Sequence, residues 1–211
     1  MTFGIAIPTY SGHIEYLKNL LSQISNSTVL PNQVSVSISS FDEEIFFDEY
    51  PFELIITKTQ EFKNPSQNRN IAASKLNTDI ISFIDGDDLP HKTRNEYLIK
   101  SFDMGAKIVV HNYEMNSNHV MTYDSEMNNL ELLIDYIDTF ISDRHFPESS
   151  KGHLSYANGH ISLLKSIFDK IKYDESNDLF KCCEDSEYSS RLVKNGYKIS
   201  HITNKLSFYF H

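Results

Sequence analysis

The stretch Thr78-Asp79-Ile80-Ile81-Ser82-Phe83-Ile84-Asp85-Gly86-Asp87-Asp88 decides the fold. Residues 80–84 are β-branched or aromatic apart from one serine, the composition of a strand covered on both faces. Three carboxylates follow it at once. A strand covered on both faces needs other strands beside it and helices above and below, and the flanking sequence supplies them.

Upstream, residues 66–76 suit a helix and 54–57 a strand, while 33–39 alternate Val34, Val36 and Ile38 with polar residues. Residues 13–24 carry Ile14, Leu17, Leu20, Leu21 and Ile24 at helical spacing, and 3–7 form a short apolar run ending at Pro8. This strand–helix–strand series predicts an α/β fold with a mostly parallel central sheet flanked by helices. Ligands of such sheets bind outside the carboxyl ends of the strands. Three polar segments fall there and are predicted to converge: Pro8-Thr9-Tyr10, Ser39-Ser40-Phe41-Asp42 and Asp85-Gly86-Asp87-Asp88.

Downstream the pattern is less regular. Helices are predicted over 128–141, 162–171 and 185–194, with Gly196 stopping the last. Residues 142–158 form a long polar stretch with Pro147 and Gly152, the kind of segment that is functional or mobile. Strands are predicted over 197–202 and 206–210. No repeat, low-complexity tract or linker divides the 211 residues, so a single domain is expected.

Nineteen basic against 29 acidic residues give a formal charge of −10, which repels phosphate backbones and argues against nucleic acid as a partner. No apolar run approaches the length of a transmembrane segment, and the start, MTFGIAIPTY, lacks the basic flank and apolar stretch of a secretion signal. Cys182 and Cys183 are neighbours, which disfavours a bridge and suits reduced thiols. These features predict a soluble, cytoplasmic protein.

Asp85, Asp87 and Asp88 repel one another unless positive charge sits among them. Oxygen ligands on a short turn suit a hard divalent ion, Mg²⁺ or Mn²⁺, that keeps water and phosphate in its shell. Gly86 permits a close approach of backbone or ligand. The purely structural alternative is a solvated turn with Asp88 capping a helix. Glu184-Asp185 has a similar alternative, an acidic pair favoured by a helix dipole.

Taken together, several segments resemble the GT-A domain of family-2 glycosyltransferases. Ile5-Ala6-Ile7-Pro8-Thr9-Tyr10 is similar to the first strand and donor loop, and Gln67-Asn68-Arg69-Asn70-Ile71-Ala72-Ala73 to the A-R-N helix. The stretch 78–88 resembles the strand leading into the D-x-D element. Residues 183–192 resemble the E-D helix on the acceptor side, and Leu206-Ser207-Phe208-Tyr209-Phe210-His211 the closing strand ending in histidine. The elements occur in the family's order across nearly the whole chain.

The resemblance implies a Rossmann-like GT-A domain, with a nucleotide-sugar donor half over 1–105 and an acceptor and catalytic half over 106–211. It implies transfer of a hexosyl or deoxyhexosyl group from a nucleotide sugar, a UDP-sugar first, to a hydroxyl of a glycan or glycoprotein acceptor. Pro8, Thr9, Tyr10, Ser39, Arg69, Asp85, Gly86 and Asp87 would bind the donor. Asp87, Asp85 and His211 would hold Mn²⁺ or Mg²⁺. Asp185 would be the general base of an inverting transfer, with Glu184 orienting it or the acceptor. Asn158, Gly159 and His160 would meet the acceptor.

Some positions depart from the family pattern. The aspartate expected after the second strand is replaced by Ser39-Ser40, with Asp42 nearby, and the glycine before the A-R-N helix by Asn64-Pro65-Ser66. The Q-x-x-R-W signature of processive synthases is missing, which favours single transfer. GT-A folds also serve retaining enzymes, so the resemblance leaves open a retaining GT-A transferase, a degenerate GT-A fold acting as a non-catalytic glycan- or nucleotide-binding module, and one module of a larger bacterial or viral glycosyltransferase. A nucleotidyltransferase would carry a glycine-rich phosphate loop, and Pro8-Thr9-Tyr10-Ser11-Gly12 is a poor match to one.

Overall fold

The computed structural model describes residues 1–118, 120–123, 126–137, 160–176 and 184–210, apart from the Ser186 side chain. Among these residues nine strands form one mixed sheet: β1 (Phe3–Tyr10), β2 (Gln33–Ser39), β3 (Glu53–Lys58), β4 (Ile80–Phe83), β5 (Leu89–Pro90), β6 (Ile108–Met115), β7 (Leu132–Ile137), β8 (Ser162–Leu164) and β9 (Ile199–Tyr209). The order is β3-β2-β1-β4-β8-β6-β9-β5, with β7 also on β9. The helices are α1 (Ile14–Ser25), α2 (Pro65–Ser74), α3 (Arg94–Asp103), α4 (Lys165–Phe168) and α5 (Glu184–Lys194).

Strands β1 to β4 are mutually parallel where they pair, and β8 runs antiparallel to both β4 and β6. Period-two alternation divides the core between the two faces. Ile5, Ile7, Val34, Val36 and Ile38 pack with Leu17, Leu20, Leu21 and Ile24 of α1 and with Leu98 and Phe102 of α3. Ala6, Ile81 and Phe83 pack on the other face with Ala72 and Ala73 of α2 and Tyr188 and Leu192 of α5. Each large side chain buried in this way contributes about 1.5–3 kcal/mol. No helix among the described residues is long and apolar enough to cross a membrane.

The helices begin and end for local reasons. At α2, Asn64 and Gln67 form a reciprocal capping box and Pro65 opens the first turn, which explains why Asn64-Pro65-Ser66 can stand where a glycine was expected. Helix α5 has Glu184, Asp185 and Glu187 in its first turn and Arg191 and Lys194 in its last, complementary to the dipole. Gly196, at φ 83°, ends the segment as anticipated.

The structure corrects three expectations in the second half. Of the helix expected over 128–141, residues 138–141 lie outside the described residues, and the rest holds β7, which pairs antiparallel with β9; Asp135 at φ 49° is incompatible with a continuous helix there. The helix expected over 162–171 is reduced to α4, because Ser162 and Leu163 bridge β4 and β6 as part of β8. The two strands expected over 197–202 and 206–210 are one, β9, continued through 203–205 with register shifts against β6. Elements β5, α3 and β6 lie where no element was anticipated.

Candidate active site

Parallel pairing brings the three polar segments together. Tyr10 at the end of β1 is in register with Ser39 at the end of β2, and Ala6 of β1 with Phe83 at the end of β4. The acidic turn therefore leaves β4 beside the last residues of β1. The Gly86 N–H donates to the Pro8 carbonyl at 3.2 Å. A Cβ at Gly86 would lie 2.4 Å from Thr9 Oγ1 and 2.6 Å from Thr9 Cβ, so only glycine lets the turn rest there. Asn68 of α2 ties the neighbouring strand ends, donating to the Thr9 carbonyl at 2.7 Å and accepting from Ser37 Oγ at 2.6 Å.

Arg69, one position along α2, joins the two halves of the site. Its Nη2 donates to both Asp85 oxygens at 3.0 and 3.2 Å, and its Nη1 donates to Glu184 Oε1 at 2.7 Å. Asp185 Oδ1 stands 3.5 Å from the same Nη1, and the guanidinium lies 5.5 Å from the Tyr173 ring centroid. Burial works against the charge, but the Asp185, Asp85 and Glu184 carboxylates hold the Arg69 pKa well above its ordinary value. Arg69 was expected to grip the nucleotide. It is instead only 3% exposed, with its terminal nitrogens turned to protein carboxylates.

Asp87 lies nearer the opening, with Oδ2 3.5 Å from His13 Nδ1. Burial and the Asp85 charge raise its carboxyl pKa, partly offset by His13. A row of rings borders this side: Tyr10 to His13 at 4.2 Å, His13 to Tyr16 at 5.5 Å and Tyr16 to Phe210 at 5.7 Å between centroids. Pro8, Thr9 and Ser39 are buried, whereas Tyr10 is exposed at the mouth. Asp42 is exposed, two residues beyond Ser40 at φ 54°.

Asp88 is fully buried and caps no helix, since β5 follows it. Its Oδ1 accepts the Phe210 N–H at 3.1 Å, and Oδ2 is 3.6 Å from His160 Nε2. Burial, then Asp85 and Asp87, push the Asp88 carboxyl well above its usual range. Burial and the Arg94 charge push His160 well below its own, so the His160–Asp88 contact is not an ion pair. His160 was expected to face an acceptor. It is entirely buried instead, within hydrogen-bond reach of Ser207 Oγ at 2.8 Å and stacked on Tyr113 at 5.3 Å. Burial and the turn carboxylates raise the nearby Tyr209 phenol to about 12.

Asn158, Gly159 and His211 lie outside the described residues. Among the described residues, no three His, Cys, Asp or Glu side chains are grouped to hold a metal ion. The donor set on the turn is thus two partly exposed carboxylates, Asp87 and Asp85, the second shared with Arg69. Two carboxylate ligands fit a hard divalent ion that completes its shell with water and phosphate. Motif reading missed His13, Asn68, Tyr173, Arg94 and His111. His13 had a signal, one turn after Tyr10, but the others are set by tertiary packing.

The family model described as Glycosyl transferase family 2 matches residues 5–171. No curated protein matches the chain. Among solved structures, S. aureus TarS 1–349 in complex with UDP-GlcNAc aligns with a TM-score of 0.69 at 13% identity, covering 100% of this chain and 59% of that one. The complex of TarS 1–349 with UDP gives 0.67 at 13%, covering 100% and 61%. A longer TarS structure gives 0.66 at 13%, covering 100% and 37%. The chain thus spans about three fifths of the TarS 1–349 structures.

Proposed function

Because this chain belongs to glycosyl transferase family 2, we propose that it transfers a sugar from a nucleotide-sugar donor, a UDP-sugar first, to a hydroxyl of a glycan acceptor. The observation that carries the reading is the Arg69 bridge, which holds Asp85 of the donor turn and the Glu184-Asp185 pair around one guanidinium. TarS is seen with UDP and with UDP-GlcNAc, which makes these the first ligands to try.

In this reading Asp185 takes the proton of the acceptor hydroxyl as its oxygen bonds to the anomeric carbon. The bond from that carbon to the diphosphate oxygen breaks, and the nucleoside diphosphate leaves with the electron pair. Attack opposite the leaving group inverts the anomeric centre. Glu184, tied to Arg69, keeps the helix start and Asp185 in place. Tyr10 supplies a ring face for the base, and Thr9 and Ser39 shape the strand ends beneath it. Asp87, with Asp85, would hold Mn²⁺ or Mg²⁺, which supplies Lewis-acid stabilisation of the departing diphosphate.

The test is binding and slow hydrolysis of a panel of nucleotide sugars, with Mn²⁺ and then with EDTA. The expected result is metal-dependent release of a nucleoside diphosphate from one donor. Pyrophosphate release would indicate nucleotidyl transfer instead. Absence of binding and turnover with every donor, in folded protein, would overturn the assignment in favour of a non-catalytic domain.

A further inference from the structure

The ladder between β9 and β5 ends at Phe208, opposite Leu89, and the ladder with β6 ends at Tyr209, opposite Met115. Phe210 lies just past both, yet its N–H reaches Asp88 Oδ1 at 3.1 Å, across 122 positions of sequence. Asp88 Oδ2 lies 3.6 Å from His160 Nε2, beyond hydrogen-bond distance, and His160 is in turn 2.8 Å from Ser207 Oγ of β9. Arg94 underpins this floor, donating from Nη2 to the carbonyl of Phe83, the last residue of β4, at 2.8 Å and from Nε to His111 Nε2 at 3.0 Å. Asp88, His160, Arg94 and Ser207 are all fully buried. A carboxyl group so enclosed is out of reach of a ligand, although it is the immediate neighbour of Asp87.

We propose that Asp88 is a positioning residue whose Oδ1 clamps the Phe210 amide, so that the end of β9 holds the acidic turn in the geometry that receives cation and diphosphate. The clamp stands on this geometry alone, and its consequence for binding rests on the function proposed above. A lost buried hydrogen bond of this kind shifts a coupled equilibrium by about tenfold.

The experiment measures binding of UDP with Mn²⁺ by calorimetry, and exchange of the Phe210 amide by hydrogen-exchange NMR. Asp88→Ala is expected to weaken UDP–Mn²⁺ about tenfold and deprotect the Phe210 amide. Asp88→Asn, which keeps an acceptor oxygen, is expected to recover most of both. Phe210→Pro removes the donor hydrogen itself, and Phe210→Ala keeps it while removing the ring, so Pro is expected to bind about fivefold or more weakly than Ala. That pair also reports if Asp88→Ala does not fold. Binding by Asp88→Asn as weak as by Asp88→Ala would mean that the charge matters and not the clamp, which overturns the proposal. Equal binding by the two Phe210 variants overturns it as well. If wild-type protein binds no UDP–Mn²⁺, the UDP assignment fails, and exchange alone judges the clamp: a Phe210 amide still protected in Asp88→Ala overturns it.

Discussion

Arg69 Nη1 lies 2.7 Å from Glu184 Oε1 although 115 positions separate the two residues. The contact fastens the start of α5 to α2, and the same guanidinium holds Asp85. Removing one partner of a buried ion pair costs about 3–5 kcal/mol, because the other is left buried and uncompensated. Arg69→Met is therefore expected to lower stability by an amount of that order, seen as a reduced urea midpoint. Arg69→Lys keeps the charge but not the fork, so it should retain more stability while still losing transfer activity. Equal stability of Arg69→Met and wild type would contradict the bridge.

Asp87 and Asp185 are assigned to different steps, so their variants are expected to separate. Asp87→Ala should abolish the Mn²⁺ dependence of donor binding in calorimetry. Asp185→Asn should bind donor normally and lose transfer by about 10²–10⁴-fold, the range for a general base. Donor affinity identical in Asp87→Ala and wild type with Mn²⁺ present would remove the metal assignment.

The first elements, β1 to β4 with α1 and α2, were legible because they are locally encoded. The apolar run of β4, the alternation of β2 and the spacing of Leu17, Leu20, Leu21 and Ile24 in α1 each identify an element without reference to any partner. In the second half α5 was legible in the same way, but β7 and β8 were not. Strand β7 exists because β9 offers it an edge, and β8 is three residues whose place is fixed by β4 and β6 on either side. At the site, carboxylates on a turn announce themselves, whereas the buried roles of Arg69 and His160 depend on residues brought from far along the chain.

Gly86 gives a local test of the turn. A Cβ there would meet Thr9 Oγ1 at 2.4 Å and Thr9 Cβ at 2.6 Å. Gly86→Ala is expected to destabilise by about 1–3 kcal/mol, as overpacking does, and to weaken donor binding with it. Thr9 Oγ1 is buried and has no hydrogen-bond partner among the described residues, so Thr9→Ala should cost little alone. It should partly rescue Gly86→Ala, leaving a coupling energy of about 0.5 kcal/mol or more in a double-mutant cycle. Strict additivity would show that the two residues do not press on each other.

His111 gives the site floor a pH signature. Its imidazole is fully enclosed, accepts from Arg94 Nε at 3.0 Å and lies 2.8 Å from the Asn112 carbonyl through Nδ1. Burial, and then the Arg94 charge, push its pKa well below the ordinary value. Once the chain unfolds, the ring takes up a proton as pH falls through about 6.5. The unfolded state then binds more protons than the folded one, so His111 removes stability as pH falls below that point. The slope is about 1.4 kcal/mol per pH unit until its depressed folded pKa is reached. Asp88, whose carboxyl is raised, acts in the opposite direction, so the total curve does not isolate one group. The difference between wild type and His111→Gln does, because glutamine keeps an acceptor for Arg94 but does not titrate. Urea unfolding at pH 7, 6 and 5 should show wild type losing stability relative to the variant by about 1 kcal/mol per unit below pH 6. Parallel curves for the two proteins would mean that His111 is protonated in the folded state and that Arg94 has another partner.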